Sequence, residues 1–285
     1  MGNPTEQPKR ITLRTIQLMV EAGEQIPVLT CYDATTAKHL AAGGVPAILV
    51  GDTASEMILG FDTTIHVDMN FMIAITAAVR RGAPHVFLMG DMPFMSYQPD
   101  EAEAIRNAAR FLTEGNADVV KIEICVPHLP LVEKMSAAGI PVVAHIGSRP
   151  QMARRTGGYR SAGRTARDAL HLVELAQRVE DAGATMLLIE ACPAEVSERI
   201  VKRVSIPVIG CGAGSACHGH VVVLHDLLGL TDWHPPFVQP AVNLGGQVVD
   251  AASNWVELIQ SGEYLKKTHP YKMKAGEAEK FATDL

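Results

Sequence analysis

Charged and ionisable side chains interrupt five apolar runs at similar points. Asp52 closes ILVGD, Asp91 closes FLMGD, Lys121 and Glu123 break VVKIEI, His145 breaks VVAHIG, and Glu190 nearly ends MLLIEA. An unpaired charge buried in an apolar strand costs roughly several kcal/mol or is forced into its neutral form, so such interruptions demand a reason. Lys121 and Glu123 are two apart and share one strand face. A single acid at a strand end reads as a helix cap; Asp52, Asp91, Glu123 and Glu190 at equivalent points read as a cluster. Their oxygens suit a hard divalent cation, Mg²⁺, better than Zn²⁺. Asp33, Asp62 and Asp68 lie at or near helix starts and read as loop or cap residues.

The elements that must position this cluster follow from the hydrophobic pattern. Short apolar runs at 27–33, 47–52, 86–91, 119–124, 141–147, 186–191 and 206–212, with a weaker one at 237–240, have the length of buried parallel strands. Helical periodicity marks 34–42, 68–81, 100–114, 129–138, 164–182, 194–204, 219–228 and 248–261, after a first helix around 12–22. Eight strands alternating with eight helices predict an α/β fold, a single closed (β/α)₈ TIM barrel with an N-terminal helix. Strand C-termini of that fold carry the active site, which brings the cluster to one mouth. The chain, 1–285, reads as one catalytic domain, with the barrel over about 27–263 and a polar tail at 264–285. Gly23, Gly43, Gly115, Gly139 and Gly183 follow helical segments as left-handed caps, and Pro27, Pro141 and Pro207 stand at strand entrances.

Composition excludes several classes. A net charge of -6 offers no broad basic field for nucleic acid. No apolar run spans a bilayer and the start MGNPTEQPKR lacks a secretory core, so the expectation is a cytoplasmic protein without a membrane partner. Cys31, Cys125, Cys192, Cys211 and Cys217 show no C-x-x-C spacing and read as reduced, buried thiols. A zinc site from Cys211, Cys217, His218, His220 and His225 lacks paired ligand spacing, and the two first histidines open a helical segment. The glycines at 210, 212 and 214 form either an anion cradle or a tight turn. Arg149, Arg154, Arg155, Arg160 and Arg164 flank Gly157, Gly158 and Tyr159 in either an anion-binding lid or a solvated loop. Met69, Met72, Met92 and Met95 read as core.

The blocks LTCYDATTAKHL, ILVGDT, GFDTT, AAVRRGAP, GDMPFMSY, VVKIE, IPVVAHIGSRPQ, GGYRSAGRT, IPVIGCGAG and VLHDLLGL, in this order, resemble the ketopantoate (3-methyl-2-oxobutanoate) hydroxymethyltransferase family over nearly the whole chain. The resemblance implies a phosphoenolpyruvate/pyruvate-type barrel and an enzyme of pantothenate biosynthesis. It implies transfer of a hydroxymethyl group from 5,10-methylenetetrahydrofolate to 3-methyl-2-oxobutanoate, giving 2-dehydropantoate through an enolate formed at Mg²⁺. Homo-oligomers, commonly decamers, are implied too. Carried across, Asp52 and Asp91 match the metal-binding aspartates and contact substrate, and Glu123 matches the metal-site glutamate. Thr53 stands for a serine at the substrate carboxylate, Lys121 for the substrate-binding lysine, His145 for a pocket histidine and Glu190 for the catalytic base.

Departures concentrate where the rim is expected. Glu56 adds an acid, Phe61 replaces a histidine, Ile124 and Cys125 replace two glycines, and His218 and His220 replace the ends of D-G-Q. Two other readings therefore accompany the transferase: a paralogue doing aldol or lyase chemistry on another 2-oxo acid, and a non-catalytic metabolite-binding barrel.

Overall fold

The computed structural model describes residues 9–283. Most of the polar start and the last two residues of the tail lie outside them. Eight parallel strands close in sequence order: β1 Ile26–Thr30, β2 Ala47–Val50, β3 Phe87–Asp91, β4 Val119–Glu123, β5 Val142–Gly147, β6 Met186–Glu190, β7 Val208–Cys211 and β8 Gly219–Val222, with β8 pairing back to β1.

Alternation of side chains sets what lies inside. Val28, Leu49, Met89, Val119, Val143, Leu188, Ile209 and Val221 fill the barrel interior. Two positions further along the same face come Thr30, Asp91, Lys121, His145 and Glu190, so one inward stripe is core below and polar above. The helix Leu13–Glu21 adds the fully buried Ile16 to that inner cluster. Beside the strand starts, the buried Arg80 donates to Asn116 O at 2.9 Å and Val86 O at 2.8 Å and pairs with Asp118.

Two expectations are corrected. The eighth strand is Gly219–Val222, with a short helix at Leu224–Leu227, rather than 237–240; residues 219–228 are not one helix. No helix separates β7 from β8: residues 212–218 suffice to return along a four-residue strand. Such a strand is about 13 Å long, and an extended chain of this length spans over ~20 Å. The left-handed caps at two helix ends also fall one residue later, on Gly44 and Asn116 instead of Gly43 and Gly115. Asp33 and Asp68 do cap helices, accepting from Thr36 N–H at 2.8 Å and Phe71 N–H at 2.9 Å.

No helix among the described residues is long and apolar enough to cross a membrane. All five cysteines are free, three of them buried and two half-buried. The helix Leu244–Gln260 buries no residue and leaves Val248, Val249, Trp255, Val256 and Ile259 exposed.

Candidate active site at the barrel mouth

Gly51 and Asp52 follow β2, and the Asp52 backbone N–H donates to Asp91 Oδ2 at 3.0 Å. That bond ties the ends of β2 and β3 and sets the two carboxylates side by side. Register places Asp91 opposite Lys121. The Lys121 ammonium lies 2.7 Å from Asp91 Oδ1 in a buried ion pair. Burial opposes the lysine's charge, but Asp91, Asp52 and Glu123 outweigh it and hold the ammonium protonated beyond its ordinary range. Burial and the Asp52 charge push the Asp91 carboxyl upward against the pull of Lys121.

His145 is buried and faces both sides of the site. Its Nδ1 is 3.3 Å from Lys121 Nζ, and its Nε2 is 3.4 Å from Glu190 Oε2. Burial, then the Lys121 charge, lowers its pKa, so the ring is neutral. With Nδ1 accepting from an ammonium, the single ring proton belongs on Nε2, facing Glu190. Glu190 ends β6 with its side chain 23% exposed, the most accessible acid of the group. The chain turns sharply after it: Ala191 has φ 48°. Gly147 opposite, at φ 98°, lets the strands approach, since a Cβ there would sit 2.3 Å from Glu190 O. Thr53 shares a 2.7 Å hydrogen bond with the Tyr32 hydroxyl.

Asp52, Thr53, Asp91, Lys121, His145 and Glu190 line one cavity of about 60 Å³. Glu123 does not; it faces an adjoining cavity of about 480 Å³, with Gln151 between. Gln151 was not singled out from the sequence, nor was Tyr97, because neither puts a charge into an apolar strand. Gln151 N–H donates to Glu123 Oε1 at 3.0 Å and its Nε2 to Asp52 Oδ2 at 2.9 Å. Tyr97 OH donates to Gln151 Oε1 at 2.8 Å and accepts the Glu123 N–H at 3.1 Å. Pro150 closes the small cavity from above.

The donor set suits a hard cation. Three buried carboxylates share one buried ammonium, and Glu123 Oε2 accepts no hydrogen bond. Among the described residues no three acid, histidine or cysteine side chains converge tightly enough to make a finished metal shell, at the mouth or around Cys211 and Cys217. Asp52 and Asp91 share the small cavity with Lys121, His145 and Glu190, and Glu123 stands one residue removed.

The profile of the ketopantoate hydroxymethyltransferase family matches residues 10–267. The chain belongs to this family. A 3-methyl-2-oxobutanoate hydroxymethyltransferase of Nitrosomonas europaea is 44% identical over 92% of this chain and 98% of its own length. One of Hyperthermus butylicus is 40% identical over 95% and 94%. Among solved structures, a phosphoenolpyruvate phosphomutase of Streptomyces platensis subsp. rosaceus superposes with TM-score 0.62 at 13% identity, covering 91% and 92% of the two chains. A 2,3-dimethylmalate lyase of the PEP mutase/isocitrate lyase superfamily gives 0.59 at 15% identity over 88% and 89%. These last two show the barrel and nothing of the chemistry.

As a ketopantoate hydroxymethyltransferase family member the chain is an enzyme with a TIM-barrel hydroxymethyltransferase architecture, and its departures can now be located. His218 accepts the Val208 N–H at 3.0 Å beside the start of β7, away from the mouth, and His220 packs near Gly210. Neither opens a helix. Phe61 stacks on His66 with ring centroids 4.6 Å apart. Gly212 and Gly214 pack against Phe237 and Ala194, where a Cβ would come within 2.4 and 2.6 Å, which favours the tight turn over the anion cradle. Glu56 alone reaches across the mouth: it accepts a 3.0 Å hydrogen bond from Tyr159 OH in the loop after β5. Burial, with the charges of Asp52, Asp226 and Glu190, pushes its carboxyl up to about 7.

Proposed function

We propose that the chain, acting as one catalytic domain over 1–285, transfers a hydroxymethyl group from 5,10-methylenetetrahydrofolate to 3-methyl-2-oxobutanoate, yielding 2-dehydropantoate. The observation that carries the reading is Glu190, a partly exposed acid in one small cavity with Asp52, Asp91 and Lys121, and beside a neutral His145.

Glu190 is the general base that takes the C3 proton, and His145 Nε2–H orients its carboxylate. Lys121, kept charged by its acid neighbours, offsets the negative charge that develops on the oxo acid as that proton leaves. Water opens the methylene bridge of the folate, both C–N bonds breaking to give tetrahydrofolate and a formaldehyde equivalent; carbon C3 then attacks that carbon, and the oxygen from water, taking up the proton Glu190 removed, becomes the new hydroxyl group. Thr53, held by Tyr32, hydrogen-bonds the substrate carboxylate. Asp52 and Asp91 would hold Mg²⁺, with Glu123 behind them linked to Asp52 through Gln151; the ion, when bound, polarises the 2-oxo group and acidifies C3–H. In support, a solved phosphonopyruvate hydrolase of the same fold was crystallised with oxalate and Mg²⁺.

The same reading makes the enzyme a homo-oligomer, a decamer by the family resemblance: a second copy covers the apolar side chains that Leu244–Gln260 leaves exposed among the described residues, Val248, Val249, Val256 and Ile259. Five unpaired cysteines suit the reducing cytoplasm.

The test is deuterium exchange at C3 of 3-methyl-2-oxobutanoate. Wild type exchanges only with divalent metal, and Glu190→Gln abolishes exchange while oxo-acid binding persists. Unchanged exchange in that variant removes Glu190 from the role. A second reading, aldol or lyase chemistry on another 2-oxo acid, is favoured by the extra acid Glu56 at the mouth; exchange without folate-dependent product would select it.

A further inference from the structure

The cavity at the mouth, about 60 Å³, lies far below the roughly 300 Å³ at which clefts for larger ligands begin. A one-carbon donor of folate size must therefore sit outside it and present only its methylene group. The wall of the mouth shows where. Pro150 lines the small cavity, while its neighbours Ser148, Arg149 and Met152 line a much larger one, about 730 Å³, on the other side. That larger cavity runs from Gly147 at the end of β5 out to the helix Ala166–Asp181.

Its lining is cationic. Arg149, Arg160, Arg164 and Arg178 border it, and Arg154 and Arg155 border the adjoining cavity that Arg149 shares. Among the described residues none of these six guanidinium groups lies within ion-pair distance of a carboxylate, nor do they donate a side-chain hydrogen bond. The acids nearby are few: Asp168 and Glu174 border the large cavity and Glu123 the smaller. Arg80, at the far end of the barrel, is by contrast engaged by Asp118 and four carbonyl groups. Clustered, unspent forks facing a hollow are suited to planar carboxylates.

We propose that this cavity seats the glutamyl tail of the folate donor, with Arg149, Arg160, Arg164 and Arg178 as ligands of its α- and γ-carboxylates. This rests on the donor assigned above. The tail carries negative charge far from the reacting carbon, so its binding holds the donor without altering the chemical step. A donor lengthened by further γ-linked glutamates meets Arg154 and Arg155 next.

The probes are tetrahydropteroate, which lacks the tail, tetrahydrofolate, and its tri-γ-glutamyl form, titrated calorimetrically against the full chain. Wild type should bind the tri-γ-glutamyl form about tenfold or more tighter than tetrahydropteroate, the sum expected of several partly exposed charge pairs. The double variant Arg160→Gln/Arg164→Gln should bring the two within about twofold and raise the KM for the donor, with kcat and C3 exchange unchanged. Arg160→Lys/Arg164→Lys should recover part of the preference, and Arg106→Gln, on the helix Glu101–Thr113, none of the loss. An unchanged preference in the glutamine double variant overturns the subsite and leaves the donor intact. Wild type that exchanges C3 yet binds none of the three overturns donor and subsite together.

Discussion

Gln151 Nε2 hydrogen-bonds Asp52 Oδ2 at 2.9 Å across 99 residues of sequence, closing the loop after β5 onto the end of β2. The same side chain takes a hydrogen bond from Tyr97 OH, and its backbone N–H holds Glu123. Gln151→Ala strips buried partners from both Asp52 and Tyr97, which costs about 1–3 kcal/mol. Urea denaturation should show that loss, and C3 exchange should fall because Asp52 is no longer held. A variant as stable and as active as wild type would make this contact incidental.

At Gly147 a backbone φ of 98° and a 2.3 Å approach to Glu190 O coincide. Gly147→Ala therefore costs on the order of 1–3 kcal/mol for the backbone alone, before any movement of β6. Thermal melting should drop, and Glu190 should lose its place beside His145. Wild-type melting with wild-type exchange would show that the strands part at no cost.

Arg80 offers a contrast at the far end of the barrel. Arg80→Met leaves Asp118 short of its main partner and removes the donor to four carbonyls, a loss of about 3–5 kcal/mol by comparison with other broken buried pairs. Exchange of C3 measured at low temperature should be unchanged, since no site residue touches it. Equal loss of rate and stability would mean the two ends are coupled.

Burial pushes the Glu56 carboxyl up to about 7 in the folded protein, from 4.5 for the free side chain. Between those values the folded chain holds more protons than the unfolded one, so this group's contribution to stability falls as pH rises. Urea midpoints of wild type and Glu56→Gln at pH 5 and pH 8 report it. The variant should gain on wild type at pH 8; an equal gap at both values would place Glu56 in open water.

The inward stripe of acids, Lys121 and His145 was legible because a charge in an apolar strand is conspicuous. Their grouping in one cavity followed from strand parity, with Glu123 set apart only by Gln151, an uncharged loop residue that leaves no such mark. The strand count of eight was right with one strand misplaced: Gly219–Val222 runs into the apolar spacing of Leu224, Leu227 and Leu228, which imitates a helix. Closure of the mouth to about 60 Å³ depends on where a loop lies, which periodicity does not encode.

On β4 the residues Val119, Lys121 and Glu123 point inward while Val120 and Ile122 pack outside. Deleting one residue there would exchange the two sets, sending reagents into the helix layer and aliphatics into the mouth. Core and chemistry are thus written on the same alternate letters. Such a barrel can acquire new reactivity by substitution at the strand tips or by lengthening the loops beyond them, but not by insertion or deletion within a strand.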